Sequence, residues 1–323
     1  MILPRFLYNL IIVNLQIFRK KLENFLFGAY GLVFSFLFFL ILFFYLFCTP
    51  SYSYSVWVVY KGKRIKLELE EYLQGVVAGE IPLKWEEEVL KAQAVVARSW
   101  TIYHIIRGKK EFLASQSDQV WLPLDEYRDF LGKVKKAVFE TRGWVLTFPS
   151  GNIAPGFFHS TCGGSTENAY ELWNSEQDPE IKNFIISVKC NKCYDSPHFF
   201  WRRKFKISDI QKILKKEDDP ISERISKFFS FSYEHTSSGR VRKIFLNPGF
   251  YLGYNQIREV LGLPSNFFSF EIDDEDYILF FGRGFGHGVG MCQWGAKKLA
   301  EEGKTWREIL LFYFPLLKLK KIY

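Results

Sequence analysis

Glycine occupies every second position from Gly282 to Gly290 in the stretch GRGFGHGVGMCQWGA (282–296). One histidine, His287, sits inside that run, and Gln293 and Trp294 follow it. Removing every other side chain lets a backbone approach a ligand or another strand closely. His287, Gln293 and Trp294 are therefore candidates for contact with a ligand. The bland alternative is a glycine-rich turn that feeds a helix over 293–302, closed by Gly303. A nucleotide site is excluded by spacing. The glycine period is two throughout, never G-x-G-x-x-G, and no Lys-Ser or Lys-Thr follows as a phosphate loop requires.

Other chemistry-bearing groups are scattered. His159 and Ser160 end a predicted strand and enter a Gly-Gly loop, a geometry suited to a cleft wall. A serine-protease reading fails, because neither Ser99 nor Ser160 sits in a G-x-S-x-G turn. Cys190 and Cys193 have zinc-ligand spacing, and Cys162 lies in the loop Cys162-Gly163-Gly164. His159 or His198 would complete a tetrahedral set. A structural zinc on Cys162, Cys190 and Cys193 and a disulfide are both open readings.

The elements that must position these groups read as α+β. Strands are expected at 56–60 and 65–69, then a short helix over 70–78. Pro82 forbids the α conformation at Ile81, so that helix must stop near Gly79-Glu80. A long helix follows over 86–107, with Val89, Ala92, Val96, Trp100, Tyr103 and Ile106 on one apolar face. A helix over 125–141 precedes a strand pair at 144–148 and 153–159. The charged section 204–224 reads as one or two surface helices. Strands recur at 240–246, 267–272 and 277–281, and two helices follow the glycine run.

The amino terminus differs in kind. Residues 25–47 carry no charge, and as a helix they would span ~34 Å, enough to cross a bilayer. Arg19, Lys20 and Lys21 precede this run and place the amino terminus in the cytoplasm. The expected layout is a cytoplasmic or interfacial segment (1–24), a transmembrane or signal-anchor helix (25–47), a linker (48–55) and one continuous domain (56–318). That domain would be held outside the cytoplasm in the cell envelope, or secreted if the leader is cleaved. The net charge is +8, of which +3 lies before residue 49. The rest suits an anionic envelope polymer. No dense basic stripe suggests nucleic acid.

Three ordered segments carry a resemblance: YLQGVVAGEIP (72–82) with KAQAVVARS (91–99); FHSTCGGSTE (158–167) with Trp173; and the glycine run. Together they resemble the SpoIID/LytB family of peptidoglycan-acting proteins. The resemblance implies a lytic transglycosylase that cleaves the β-1,4 bond between N-acetylmuramic acid and N-acetylglucosamine and leaves a 1,6-anhydro sugar. It implies a preference for glycan strands already stripped by an amidase, and no cofactor in catalysis. A non-catalytic enhancer of a cell-wall amidase is the alternative. The family's catalytic glutamate matches Glu80 and its nearby arginine matches Arg98, beside Ser99.

Chemistry agrees with that match. One carboxyl suffices when the substrate's own 6-hydroxyl attacks the anomeric carbon, because the same group protonates the leaving oxygen and then takes the hydroxyl proton. Glu80 at a helix carboxy-terminal end, flanked by Val76, Val77 and Ile81, is expected to have a raised pKa. Arg98 would oppose that if it touched Glu80, so it is assigned to a substrate oxygen, with a structural salt bridge as the alternative. Gln119 matches a family position where glutamine precedes a hydrophobic pair. Thr166 and Glu167 would supply hydrogen bonds, and Trp173 either a sugar-stacking face or core. Some family members carry zinc on a cysteine- and histidine-bearing segment before the glutamine. Here that segment reads FLASQSD (112–118), so that site is absent.

Overall fold

A computed structural model describes residues 54–173, 178–210, 232–247, 250–273 and 276–323. The chain opens with a hairpin of β1 (Ser55–Tyr60) and β2 (Lys63–Glu68) in antiparallel register. Lys61 and Gly62 turn it with positive φ angles of 48° and 76°, the backbone that a two-residue primed turn requires. Helix α1 (Leu69–Glu80) follows, then α2 (Glu87–Ile106) and β3 (Glu111–Leu113), which adds parallel to the free edge of β1. A 3-10 turn (Leu124–Phe130) leads into α3 (Leu131–Glu140).

Strand β4 (Trp144–Thr147) does not hairpin fully with 153–159 as the sequence suggests. One bridge, Thr147 to Ile153, joins them. Residues Phe158–His159 form β5 and look elsewhere for a partner. After α4 (Ala169–Trp173) and α5 (Pro179–Phe184) comes β6 (Phe200–Lys206), a strand where surface helix was expected from 204 onward. Its charged residues stay in water while the backbone pairs antiparallel with β11 (Tyr277–Arg283), which also pairs with β10 (Phe268–Asp273). Residues 207–210 are helical as predicted, and the rest of the predicted 204–224 helix falls outside the described residues. A second sheet contains β7 (Ser232–His235), β8 (Val241–Asn247) and β9 (Phe250–Gly253), and α6 (Tyr254–Leu261) packs on it. The chain ends with β12 (Met291–Cys292), α7 (Gln293–Glu301), α8 (Trp306–Tyr313) and β13 (Lys318–Lys321). β12 pairs in parallel with β5, and β13 takes the place beside β4. The ordered fold therefore runs past residue 318.

Residues 54–323 make one compact α+β unit with a main apolar core around α2 and a smaller one among β6, β8, β10, β11 and α6. Helix α2 departs from the one-faced stripe expected of it. Every residue from Val89 to Ser99 is buried, because α1, α3, β4, α7 and α8 surround it. A helix enclosed on all sides must bond each polar group it buries. Lys91 meets Glu88 at 2.8 Å and Glu140 at 2.6 Å. The expected membrane helix at 25–47 lies outside the described residues, and among these no helix is long and apolar enough to cross a membrane.

Gly75 and Gly79, one turn apart on α1, leave a bare strip on which residues 120–122 lie. The Leu122 N–H donates to the Gly75 carbonyl at 3.1 Å. A β-carbon on Gly75 would stand 2.2 Å from Trp121 Nε1 and 2.5 Å from the Leu122 oxygen. Gly75→Ala should therefore lower stability by about 1–3 kcal/mol despite its better helix propensity. Denaturant unfolding of the two proteins checks this, and a gain in stability would refute the close approach.

Candidate active site

Glu80 is the last residue of α1, and Ile81 leaves the helix in extended conformation (φ −137°, ψ 151°) ahead of Pro82. The glycine strip of α1 decides what meets its carboxylate. A β-carbon at Gly79 would lie 2.5 Å from the Val120 oxygen. With glycine there, the Val120 N–H reaches Glu80 Oε1 at 2.6 Å. Gln293 at the start of α7 secures the same residue through its backbone, donating from Nε2 to the Glu80 carbonyl at 3.2 Å and to Gln93 Oε1 at 3.2 Å.

Burial pushes the Glu80 carboxyl up to about 7, against the Val120 hydrogen bond, which favours the anion. The negative end of α1 acts in the same direction as burial. Glu80 is thus a half-buried, desolvated carboxylic acid that keeps its proton to near-neutral pH.

It opens into a cleft of about 380 Å³, whose other walls come from His159, Ser160, Phe285, His287, Gln293 and Arg258. The glycine run makes this geometry. Gly284, Gly286, Gly288 and Gly290 have φ of 85°, 101°, 86° and 72°, a region closed to most side chains. The backbone so shaped lies against 157–162. Phe285 and Thr161 exchange N–H···O bonds at 2.8 and 3.1 Å, and Met291 N–H reaches the Phe157 carbonyl at 3.0 Å. A β-carbon on Gly290 would sit 2.2 Å from that carbonyl oxygen.

Two histidines end up side by side, with ring centroids 5.7 Å apart. His159 Nδ1 lies 3.0 Å from the Val289 carbonyl and must donate to it, which leaves Nε2 an acceptor with no partner among the described residues. His287 Nδ1 accepts from the Val289 N–H at 3.0 Å. Burial lowers His159 to about 3 and His287 well below its usual value, so both are neutral. Neither is a proton donor matched to a leaving group. Trp173 backs this wall, 4.6 Å from Phe157 and 5.3 Å from His287 between ring centroids. Trp294 meets Trp85 edge-on at 5.0 Å. Neither tryptophan lines the cleft itself.

Several residues expected at the substrate are placed in the scaffold. Arg98 is fully buried, and its Nε and Nη2 donate to the two oxygens of Glu70 at 2.9 and 2.6 Å. Its assignment to a sugar oxygen gives way to the salt-bridge alternative, since neither group faces the cleft. Ser99 bridges α2 to β4, donating to Val95 at 2.7 Å and accepting from Leu146 N–H at 2.8 Å. Gln119 is enclosed beside Ala97 and Thr101. Thr166 Oγ1 accepts from Val188 N–H at 2.8 Å. Glu167 is fully buried, accepting from Thr236 Oγ1 at 2.6 Å and Asn168 N–H at 2.7 Å.

Arg258, with Asp118, is a charged cleft residue that sequence reading did not assign to the site. Arg258 sits on α6, its Nε is buried without a hydrogen-bond partner among the described residues, and burial holds its pKa below the usual range. No motif marks it, and only the fold brings α6 to the glycine run, where Tyr254 Oη donates to the His287 carbonyl at 2.8 Å.

The predicted metal residues Cys162, Cys190 and Cys193 do converge. The group's fourth member is Cys292, not His159 or His198, and all four are buried free thiols. His198 instead lies against Phe285.

Comparison with known proteins gives the family. A family described as "Stage II sporulation protein" matches residues 61–148, and a domain of unknown function matches 158–290. Stage II sporulation protein D of Bacillus subtilis (strain 168) is 35% identical over 263 residues, covering 77% of this chain and 73% of that protein. The protein of the same name from Bacillus amyloliquefaciens is 33% identical with the same coverage. An amidase enhancer of Bacillus subtilis (strain 168) is 28% identical over 75% of this chain and 39% of its own length.

Among the described residues, Arg98→Ala would leave the Glu70 carboxylate only its Tyr323 hydrogen bond and take away the buried guanidinium's bonds to the Trp144 and Val138 carbonyls. It should cost about 3 kcal/mol or more, measured by denaturant unfolding, while glycan binding by the folded fraction stays within twofold. Unchanged stability with lost binding would return Arg98 to the substrate.

Proposed function

The chain belongs to the stage II sporulation protein D family, and from that premise we propose that it is a peptidoglycan lytic transglycosylase with Glu80 as both acid and base. The observation that carries this reading is a single protonated carboxyl in the cleft. The cleft's other carboxylate, Asp118, accepts from Leu113 N–H at 2.7 Å and is paired with Lys109. It is committed to its own loop. A hydrolase of the usual kind needs a second carboxylate free to act as nucleophile or base.

In the proposed reaction the Glu80 acid protonates the oxygen linking N-acetylmuramic acid to N-acetylglucosamine. The C1–O bond breaks as positive charge builds on the ring. The Glu80 carboxylate then takes the proton of the muramic acid 6-hydroxyl while O6 bonds to C1. The products are a free 4-hydroxyl and a 1,6-anhydro end, no water is consumed, and Glu80 regains its proton. The Val120 N–H steadies the carboxylate formed midway. His159 Nε2 is an acceptor suited to a sugar hydroxyl or amide N–H. Arg258 suits an anion, and removing the stem peptide from muramic acid exposes one, the lactyl carboxylate. This supports stripped glycan as the substrate, with an amidase acting beforehand. The amidase enhancer among the relatives supports a second reading, a glycan-binding stimulator of such an amidase without turnover of its own.

Product mass separates these readings. Stripped and intact glycan strands are incubated with the chain, with Glu80→Gln and with an added amidase. The proposal expects anhydro ends one water lighter than hydrolysis products, and at least a 10²–10⁴-fold loss of rate in Glu80→Gln. Faster stem-peptide release only when amidase is present, with no anhydro ends, would support the enhancer.

Activity should be flat in mild acid and fall as pH rises through about 7, where Glu80 loses its proton. The same shift has a stability sign. Between pH 4.5 and about 7 the folded chain holds a proton that the unfolded chain releases, so stability drains away as pH rises through that window. Glu80→Gln should escape this loss and match or exceed the parent's stability at pH 8. Arg258→Gln should lower kcat/KM on stripped strands roughly 10–100-fold, the worth of one charge-assisted hydrogen bond. It should matter far less on strands whose lactyl group is still amidated.

A further inference from the structure

We infer that Cys162, Cys190, Cys193 and Cys292 bind one zinc ion as a tetrahedral tetrathiolate site that clasps the back of the cleft. Their sulfurs all lie within 4.8 Å of one another. Zinc–sulfur bonds of about 2.3 Å in a tetrahedron set sulfurs about 3.8 Å apart, so a small inward movement closes the shell. A disulfide would draw two sulfurs to about 2.05 Å and leave the other pair unused. Here Cys162 and Cys193 stand at 3.4 Å, and no sulfur of the four is more than 4.8 Å from another.

The surroundings are built for thiolates. Cys292 Sγ accepts from the Cys162 N–H at 3.2 Å and the Gly295 N–H at 3.4 Å, the latter at the amino-terminal end of α7. Tyr313 Oη lies 3.2 Å from Cys190 Sγ. Four thiolates around a divalent ion leave a double negative charge, which such donors offset. The buried Arg240 guanidinium adds charge one step away, donating to the Cys162 carbonyl at 2.7 Å. Gly295 is glycine because a β-carbon there would stand 2.7 Å from Cys190 Sγ and 2.1 Å from Tyr313 Oη.

Topology says why a clasp is needed. β5 and β12 pair over only Phe158–His159 and Met291–Cys292, too short a parallel ladder to hold itself. Yet β5 carries His159 into the cleft, and β12 delivers Gln293 to Glu80. Cys162 lies three residues beyond His159, and Cys292 directly precedes Gln293. The ion would tie both strands to the 190–193 loop behind them. Binding displaces one proton from each thiol that is not already ionised, so affinity falls in acid.

The test needs no assay of cleavage. The full-length chain, purified from zinc-supplemented cells without chelator, should contain one zinc per chain. Mercurial titration should release it together with four thiols, beyond any reactivity of Cys48. Cobalt(II) added after zinc removal should give the sulfur-to-metal charge-transfer and d–d bands of a tetrahedral thiolate site. Cys292→Ser should lose the ion and melt at least about 10 °C lower. Cys292→His, which restores a ligand, should recover metal binding, so the site remains testable if the serine variant does not fold. Metal-free protein with four free thiols, or a Cys162–Cys193 disulfide found by peptide mass, overturns the proposal. Because these readouts are independent of turnover, the site and the role of Glu80 stand or fall separately.

Discussion

The cleft depends on backbone touching backbone in two places. On α1, Gly75 and Gly79 let residues 120–122 lie flat on a helix, which brings the Val120 N–H to Glu80. At the far wall, glycines with positive φ let residues 284–291 lie flat against 157–162. Any side chain at these positions would hold the walls apart and admit water to Glu80. The carboxyl would then revert toward its ordinary pKa, because desolvation is the largest cause of its shift.

Charge placement follows from the same desolvation. A cation beside Glu80 would ionise it, and the fold keeps its arginines away from that role. Arg98, one helix away, is consumed by Glu70, and Arg240 by the carbonyls of Cys162 and Ser165. Asp118, the other carboxylate at the cleft, is neutralised by Lys109. Among the groups that line the cleft are one raised-pKa acid, two neutral histidines and Arg258, an arrangement suited to donating a proton and holding an anion.

Much of this was legible in the sequence, and the gaps have physical causes. Pro82 and the valines before it announced where α1 ends and that Glu80 would be desolvated, with a raised pKa. The alternating glycines announced close backbone contact, although they meet another strand of this chain at most positions. The role of Arg98 was not readable, since a helix buried on every face has the same apolar spacing as one buried on a single face. Cys292 escaped the cysteine arithmetic because it pairs with Cys162 from 130 residues away. Arg258 lacks a local signature for the same reason. The end of β6 read as helix because charge fills four of its seven positions, with only Trp201 and Phe205 turned toward the smaller core. β13 had too few residues to show a period.

The central claim is that Glu80 stays protonated to near neutrality, and its titration can be followed directly. Carbon-13 labelling of glutamate side chains, with Glu80→Gln to identify the Glu80 carboxyl resonance, gives its midpoint by NMR. The account predicts a midpoint close to 7. A midpoint near 4.5, the value of a solvated glutamate, would contradict it and remove the proton on which the proposed chemistry runs.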